Sequence, residues 1–505
     1  MIEGGAVSKT LPFEYWNLFI FILSTLIGYG IIKYVARLRS NLPPGPTPLP
    51  FVGNLMQLRK AERLYKAART YSKQFKSDIV TIDFGFMGRS IILNTLEAYK
   101  KAIIDELDLV SDRYLNHSFD LFSRGGKDVA LAPVSETWKA QRKLGYQAFR
   151  LIADGDKISN FVFSAFEKQK QLMIEKLDTP LNPRDILAYG IFNAVCNLSY
   201  GKEYEIDDKE FVYLNSLNRE FIDTVGNGTI VDLFPFLSFL PLKSSRDLSN
   251  MVNNVEEIVM KSYRQLEETY NSNEVRNISD AFIKVRKSNK DFNCLTDEHI
   301  FFLIFDIFGA GTDTNIDTLN WMIVHACRNP EIQNKVYKEL KSVIAQGDYP
   351  NWYDRENLPY TVAFMNEVLR LGSTVPFLIP HKPARDCKLM GYDISKETIV
   401  LPNIYALHRD PRFWKDPEKF NPERFLDKSG KVTNVKESYF PFGGGRRVCL
   451  GESIARPLLF TFLTNLLFNF EFYVPKGEPV PSLDGIENQT VYVPDNEYKI
   501  AFRLR

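Results

Sequence analysis

One cysteine follows a glycine-rich turn in this sequence, and its position suits metal or cofactor chemistry. The stretch FPFGGGRRVCLGESIAR occupies residues 440–456, with the thiol at Cys449. Three consecutive glycines, Gly443 to Gly445, permit a tight turn that lies flat against a bulky group, because no Cβ holds the backbone away. Cys449 is therefore the first candidate for a functional residue.

A helix is predicted directly after this cysteine, from Leu450 to Phe468. Unpaired amides at a helix start favour negative charge, so the thiolate is the favoured form of Cys449. Hydrogen bonds from the amides of Leu450 and Gly451 would moderate the electron release of the sulfur. Pro457 lies within this helix and should kink it, because proline removes one backbone donor.

A second candidate site lies in a long apolar segment whose middle reads FGAGTDTN. Ala310 and Gly311 are small, so another group can approach the backbone closely. Asp313 and Thr314 place a carboxylate and a hydroxyl beside that gap. Proton delivery in a dry site suits such a pair, because the hydroxyl can hold a bound small molecule while the acid relays protons from water. A polar kink in a core helix is the alternative interpretation.

Five residues of the cysteine stretch fit one known pattern: Phe442, Gly445, Arg447, Cys449 and Gly451 match FxxGxRxCxG. In this loop the sequence resembles the cytochrome P-450 monooxygenases, which bind haem there. The resemblance implies that Cys449 is the axial ligand of a haem b iron, that Phe442 shields the sulfur and that Arg447 neutralises a haem propionate. Gly445 and Gly451 belong to the same cofactor-binding loop. A cysteine without such neighbours would indicate a buried core thiol.

The same resemblance implies roles for residues outside the loop. Trp138 and Arg142 stand four apart on one helix face and match a WxxxR pair that contacts haem propionates. Alone they would indicate a surface helix with a half-buried tryptophan. His381 stands where relatives place another propionate contact. Asp313 and Thr314 match the [AG]GxxT motif, which implies proton relay for Asp313 and oxygen positioning for Thr314.

Three further charged residues are interpreted as structural. Glu367 and Arg370 stand three apart in NEVLR, and Arg424 lies in NPERF. Taken alone, the first two indicate a surface ion pair that contributes at most about 1 kcal/mol. ExxR followed by PERF, ahead of the cysteine loop, resembles the buried Glu-Arg-Arg network of the same family.

The composition argues against several other functions. The 505 residues carry 63 Lys and Arg against 62 Asp and Glu, so the net charge does not indicate a nucleic-acid partner. The five cysteines form no CxxC pair, which argues against a disulfide framework or a zinc site and suits a reducing compartment. No flavin or nicotinamide fingerprint is apparent, so electrons must come from another protein.

The N-terminal sequence predicts a membrane anchor and a spacer. Tyr15 to Ile32 carries no charge and is just long enough to span a bilayer as a helix, and Lys33 follows. Positive residues on that side place the rest of the chain in the cytosol, although a cleaved signal peptide is the alternative. The prolines of LPPGPTPLP predict a stiff hinge. We expect an anchor at 1–40, a proline-rich hinge at 41–52 and a single catalytic haem domain at 53–505.

Most of the remaining sequence has helical periodicity. A long helix is predicted after the N-cap Thr296, ending at Asn329-Pro330. Two hairpins are predicted, from Ile79 to Leu93 and from Val491 to Leu504. The expected fold class is mainly α with small β-sheets, the cytochrome P-450 fold, preceded by one transmembrane helix. The aromatic segment VDLFPFLSFLP is either core or, by the resemblance, a roof over the active site that dips into the membrane.

The resemblance implies a membrane-anchored haem-thiolate monooxygenase of the endoplasmic reticulum, facing the cytosol, that hydroxylates a small apolar substrate with O2. Electrons would come from NADPH through NADPH-cytochrome P-450 reductase, with cytochrome b5 as a further candidate partner. Basic residues are expected to cluster on the cysteine side, and those that bind no propionate would dock the reductase, with solvated surface charges as the alternative; they are Lys139, Arg142, Lys143, Arg446 and Arg447.

Short stretches narrow the resemblance further. FGAGTDT, LIPHK and VPSLDGI are similar to the steroid 17-alpha-hydroxylase and xenobiotic-oxidising group, which favours a steroid or other apolar substrate over a fatty acid. The alternatives are a haem-thiolate isomerase or dehydratase, which needs no reductase, and a non-enzymatic haem sensor.

Overall fold

The computed structural model describes residues 13–38, 40–59, 63–107, 109–153, 155–433, 437–487, 491–494 and 497–505. The α-helices of these residues, numbered in chain order, are α1 (Phe13–Leu38), α2 (Leu55–Leu58), α3 (Leu64–Phe75), α4 (Leu96–Tyr99), α5 (His117–Phe122), α6 (Glu136–Ile152), α7 (Gly155–Ile174), α8 (Arg184–Tyr200), α9 (Lys209–Asn227), α10 (Ile230–Leu233), α11 (Lys243–Glu268), α12 (Ile278–Ser288), α13 (Asp297–Arg328), α14 (Pro330–Val343), α15 (Pro359–Gly372), α16 (Ile404–Leu407) and α17 (Glu452–Asn469). The strands are β1 (Ile79–Asp83), β2 (Arg89–Leu93), β3 (Asp112–Arg113), β4 (His381–Lys382), β5 (Cys387–Leu389), β6 (Tyr392–Ile394), β7 (Ile399–Pro402), β8 (Phe470–Tyr473), β9 (Ile486–Glu487), β10 (Tyr492–Val493) and β11 (Ala501–Leu504).

Helix α13 runs through the core and carries the FGAGTDTN stretch. Thr296 and His299 form a capping box at its start, and the chain leaves the helix at Asn329, before Pro330. It packs against α8, α11, α15 and α17, so most of its side chains are buried. The predicted long helix is therefore confirmed, and its interior position brings its middle close to other core elements.

A five-stranded sheet in the order β1-β2-β7-β4-β3 flanks the helical core. Strands β1 and β2 form the predicted hairpin, with Ile79 opposite Leu93. Strand β7 runs parallel to β2, while β4 and β3 add to it in antiparallel fashion. In the last pair, Arg113 lies opposite His381. The predicted class, mainly helical with small sheets, is confirmed.

Two local predictions differ from the structure. The predicted C-terminal hairpin is wrong, because β11 pairs with β8 directly after α17, and β10 pairs with β9. Both pairings depend on segments brought together by the fold, so the alternating pattern of one stretch could not identify the partner. Helix α17 begins at Glu452, two residues later than predicted, with Pro457 in its interior.

The N-terminal region contains helix α1, and residues 1–12 of the predicted anchor lie outside the described residues. Among the helices described, none is long and apolar enough to cross a membrane. The hinge follows the edge of β1: the amide of Thr81 donates to the carbonyl of Pro44 at 2.9 Å, and the Thr81 hydroxyl donates to that of Pro43 at 2.7 Å. Gly45 fits here because a Cβ would lie 2.0 Å from the Thr81 carbonyl oxygen.

Candidate active site

The cysteine loop is closed by a hydrogen bond from the amide of Cys449 to the carbonyl of Phe442, with a distance of 2.9 Å. Gly445 lies inside the loop with φ +66, and a Cβ there would sit 2.1 Å from the carbonyl oxygen of Ile103. Only glycine satisfies both conditions. A Cβ on Gly451 would meet nothing within 4 Å except the Cys449 sulfur, at 4.0 Å. It would therefore project into open space beside the sulfur.

The Cys449 side chain borders solvent-accessible space, although surrounding protein atoms are close enough for burial to raise the pKa of its thiol. The charge of Glu452 also raises this pKa, while backbone amides of Gly451 and Glu452 and the charge of Arg142 lower it. The predicted Leu450 amide is thus replaced by that of Glu452, because the helix begins two residues later. Metal coordination removes the thiol proton outright.

A gap opens in α13 at the FGAGTDTN stretch. Ala310 is exposed, although Phe308 and Thr312 are buried on either side. A Cβ built on Gly309 would meet no atom within 4 Å. The half-buried Thr314 borders this gap, and its hydroxyl donates to the carbonyl of Ala310 at 2.6 Å. A small molecule can therefore reach the helix backbone at this point. We call this open surface of α13, formed by residues 309, 310 and 314, the groove.

Asp313 is buried next to Thr314 and faces a different helix. Its carboxylate oxygen Oδ1 lies 3.7 Å from Nη2 of Arg184, the first residue of α8. Asp317, one turn later, lies 3.5 Å from the same nitrogen, and burial raises the pKa of Asp317 to about 6. The predicted acid-alcohol pair thus has its hydroxyl at the groove and its carboxylate beside an arginine.

Arg447 extends from the cysteine loop into a buried, polar region. Its Nε donates to the carbonyl of Ser111 at 2.8 Å, and its Nη2 donates to that of Ala132 at 2.7 Å. The guanidinium lies 4.0 Å from the ring centroid of Trp138. Its Nη1 is buried without a hydrogen-bond partner among the described residues. Burial and the charge of Arg142 lower the pKa of Arg447 to about 10.

Trp138 and Arg142 lie beside Arg447, both on α6. The indole N–H of Trp138 donates to the carbonyl of Val129 at 3.0 Å. Nη2 of Arg142 donates to the carbonyl of Val448 at 2.7 Å, next to Cys449. The WxxxR pair is buried, in contrast to the surface-helix alternative. Contact with haem propionates stays a prediction for both residues.

His381 is buried, and its Nδ1 lies 2.8 Å from the carbonyl oxygen of Val110. Since a carbonyl only accepts, Nδ1 carries the ring proton. Burial, then the charge of Arg113, lowers the pKa of His381 well below its ordinary value, so the ring is neutral with a bare Nε2. An anionic group beside Nε2 would favour uptake of a proton there.

The residues present fit a prosthetic group that carries carboxylates. Burial and the charge of Arg447 lower the pKa of Arg113 well below its ordinary value. Arg113, Arg142 and Arg447 thus place three cations in one buried region, where Asp128 is fully buried beside them. Clustered buried cations are costly unless anions compensate them. The unpartnered Nη1 of Arg447 and the open space at Gly451 match the propionates and the flat ring of haem, with Cys449 as the iron ligand.

Glu367, Arg370 and Arg424 form one network behind the cysteine loop. Arg370 donates to both carboxylate oxygens of Glu367, at 2.7 and 2.9 Å, and Arg424 donates to Glu367 at 2.9 Å. The side chains of Glu367 and Arg370 are 0% exposed, so they are not the surface ion pair of the alternative interpretation. Arg370 also donates to the carbonyls of His408 and Pro417. The network thus connects α15 to the chain that follows α16, and we interpret it as structural.

Comparisons with known proteins identify the family of this chain. The family model described as Cytochrome P450 matches residues 43–502. The chain belongs to the cytochrome P450 family. It is 32% identical to the "Steroid 17-alpha-hydroxylase/17,20 lyase" of Ictalurus punctatus, with 92% of this chain and 91% of the relative covered. It is also 32% identical to the "Cytochrome P450 1A1" of Chelon auratus, with 91% of each covered.

Solved structures of P450s resemble the fold of this chain. A zebra fish cytochrome P450 with progesterone superimposes with a TM-score of 0.77 and 27% identity, covering 87% of this chain and 99% of that one. This P450 is accordingly a monooxygenase, and the family implies haem held by a cysteine thiolate, with O2 as co-substrate.

The structure also reveals three residues that the sequence interpretation missed: Arg113, Asp306 and His408. For Asp306 the sequence contains a signal of a functional role, since this residue is the lone carboxylate in the apolar run FFLIFDIFGAG. Arg113 and His408 had none, because their partners lie far away in the sequence. Asp306 contacts the Trp138 region, and His408 contacts the cysteine loop.

The predicted basic patch is partly exposed in this P450. Arg142 and Arg447 are buried and are not available to a docking protein. Lys139 and Lys143 are exposed, and they pair with Glu136 and Asp291, respectively. The fully exposed residues of the patch are therefore the two lysines of α6, while Arg446 of the cysteine loop is half-buried.

Proposed function

We propose that this P450 hydroxylates a small apolar molecule, a steroid or a xenobiotic, with O2 and with electrons that NADPH supplies through a reductase. The groove in α13 carries the proposal. It combines exposed backbone at Ala310 with the Thr314 hydroxyl in a helix that is otherwise buried. Space for a small molecule next to the Thr314 hydroxyl, with the buried carboxylate of Asp313 on the adjacent residue, suits oxygenation better than isomerisation or passive haem binding.

Each residue of the site has a defined task in this proposal. Haem bound through Cys449 supplies the oxygen-activating chemistry. Amides of Gly451 and Glu452 stabilise the thiolate and moderate its electron release. The single proton of the Thr314 hydroxyl is held by the Ala310 carbonyl, and rotation of the hydroxyl redirects it into the groove. Asp313 passes protons inward while Arg184 compensates its negative charge.

The proposed substrate class rests on the relatives. Two groups of relatives, steroid 17-alpha-hydroxylases and cytochromes P450 1A1, match at similar identity, so a steroid and a xenobiotic are both supported. The solved structure with progesterone adds weight to the steroid.

Attachment to the endoplasmic reticulum membrane, with the catalytic domain facing the cytosol, is the second part of the proposal. Apolar side chains are exposed on two segments. Phe236 and Phe239 follow α10 and are 58% and 78% exposed, and Phe86 of the β1–β2 hairpin lies 5.7 Å from the ring of Phe236. On α1, Phe21 and Ile32 are exposed as well. Groups of exposed apolar side chains are typical of contact with a membrane or another protein.

A spectral titration tests the substrate class. Purified ferric protein is titrated with a panel of steroids, fatty acids and small drugs, and the shift of the haem band is followed. A tight response to one steroid class supports a dedicated biosynthetic hydroxylase. Weak responses to many unrelated compounds indicate a detoxifying oxidase, and a response to fatty acids alone contradicts the proposal.

A turnover assay separates the proposal from its alternatives. A monooxygenase consumes NADPH only when NADPH-cytochrome P-450 reductase is added, and cytochrome b5 is tested as a supplement. Conversion of a peroxide substrate without reductase would indicate the isomerase or dehydratase. No conversion with any substrate, together with two axial protein ligands on the iron, would indicate the sensor.

A further inference from the structure

Residues 128–132 form a short segment that binds the side chains of Trp138, Arg113 and Arg447. We call it the frame segment. The carbonyls of residues 129, 130 and 132 all accept hydrogen bonds from buried side chains. Their donors are Trp138 Nε1 at 3.0 Å, Arg113 Nε at 2.8 Å and Arg447 Nη2 at 2.7 Å, respectively. The position of the frame segment therefore decides where an indole and two guanidinium groups lie.

The amides of the frame segment are bound by two carboxylates. Asp128, fully buried at its start, accepts from the amide of Leu131 at 3.0 Å and also from that of residue 132. Asp306 of α13 accepts from the amide of Val129 at 2.9 Å and also from that of residue 130. Four consecutive amides thus point to carboxylates, and one of these carboxylates belongs to the helix that forms the groove.

The two carboxylates lie close enough for the charge of one to affect the other. Burial raises the pKa of Asp128 to about 7, although amide donors and Arg113 oppose the rise. Burial and the charge of Asp128 raise the pKa of Asp306 well above its ordinary value. The charged groups facing the pair are Arg113 of β3 and Arg447 of the cysteine loop.

We propose that Asp306 and Asp128 are positioning residues for haem binding: together they hold the frame segment, which in turn aims Trp138, Arg113 and Arg447 at the propionates. This inference rests on the proposed haem-thiolate function. It gives α13 a second task besides forming the groove. Asp306 acts through the backbone amides of the frame segment and not by touching the prosthetic group.

The test uses the purified, haem-loaded full chain and measures transfer of haem to excess apomyoglobin. Asp306→Ala should lose haem about 10-fold faster than the parent protein, because groups that orient ligand-binding residues typically contribute that much. Glu339→Ala is the matched control. Glu339 is also half-buried and also accepts from two consecutive amides, those of Tyr360 and Thr361, but between α14 and α15. Its haem transfer rate should stay within about twofold of the parent.

A pH profile separates positioning from a general loss of stability. A carboxyl whose folded pKa is raised favours the fold while protonated, and this contribution is lost as pH rises through about 7. Haem transfer from the parent should therefore accelerate as pH rises from about 5 to about 7, because the proton is lost from the folded carboxyl over this range. Asp306→Asn, which keeps the size and removes one charge, should flatten this rise, while Glu339→Ala should keep it.

Two results would overturn the inference. One is a haem transfer rate of Asp306→Ala equal to that of Glu339→Ala, and the other is an unchanged pH profile in Asp306→Asn. The proposed function fails separately. Absence of the absorption band that marks thiolate ligation in the reduced carbon monoxide complex of the parent would contradict it, whatever the variants do.

Discussion

The imidazole of His408 accepts a hydrogen bond from the backbone amide of Phe440, with 3.0 Å between the amide nitrogen and Nε2. Its Nδ1 lies 3.1 Å from the carbonyl oxygen of Arg370, so Nδ1 carries the ring proton and Nε2 is bare. The neutral ring joins the network of α15 to the start of the cysteine loop. Burial, then the charges of Arg370 and Arg409, holds the pKa of His408 well below its ordinary value.

This contact predicts that acid destabilises the protein. Below about pH 6.5 the unfolded chain protonates His408 while the native ring stays neutral. The free energy of unfolding therefore decreases by about 1.4 kcal/mol for each pH unit of acidification and for each such histidine. His325 adds to the effect, because burial lowers its pKa to about 3. His408→Gln keeps an acceptor for Phe440 and removes one titrating group. Urea unfolding at several pH values should show a shallower slope for this variant, and an identical slope would contradict the assignment.

Arg447→Gln should weaken haem binding without weakening the apoprotein. The arginine is one of three clustered buried cations, so its removal relieves repulsion in the haem-free state. Loss of the unpartnered Nη1 donor should reduce haem affinity by about 10-fold to 100-fold. Haem titration of the apoprotein measures the affinity, and thermal unfolding of the apoprotein measures the stability. A large loss of apoprotein stability would show that Arg447 has a mainly structural role.

Glu367→Gln should destabilise the protein strongly, because it leaves Arg370 as an uncompensated buried charge. The expected loss in the free energy of unfolding is about 3 to 5 kcal/mol. Glu97→Gln provides the comparison. Glu97 pairs with Arg412, both about half exposed, and such a pair contributes at most about 1 kcal/mol. Chemical denaturation measures the free energy of unfolding of both variants. Equal losses in this free energy would mean that the buried network does not support the core.

Thr314→Ala should uncouple electron consumption from product formation. Its hydroxyl borders the groove, so its loss removes a proton donor from the oxygen-binding space. Product formation should fall on the order of 10-fold to 100-fold while NADPH oxidation continues and peroxide accumulates. Thr312→Ala is the control, since the Thr312 hydroxyl also donates to a carbonyl one turn back, that of Phe308 at 2.6 Å, but is fully buried. Similar uncoupling in both variants would contradict a specific role for Thr314.

Patterns of neighbouring residues were enough to predict part of the fold of this protein. The Cys449 loop, the capped helix α13 and the β1–β2 hairpin were predictable because the residues that pair within each lie in one short stretch of sequence, and such local geometry follows from periodicity and turn residues. The pairing of β11 with β8 was not predictable, because these strands are distant in the sequence and become neighbours only in the folded protein.

The sequence by itself indicated the family of this P450, and by that resemblance it predicted a thiolate ligand at Cys449 and an acid-alcohol pair at Asp313 and Thr314. Only the tertiary structure decided how these groups are held. Arg113 meets His381 across two strands, and Asp306 reaches Val129 from α13. Burial of such polar groups is favourable only when a partner is present, and the partner here is supplied by packing between segments that are distant along the chain.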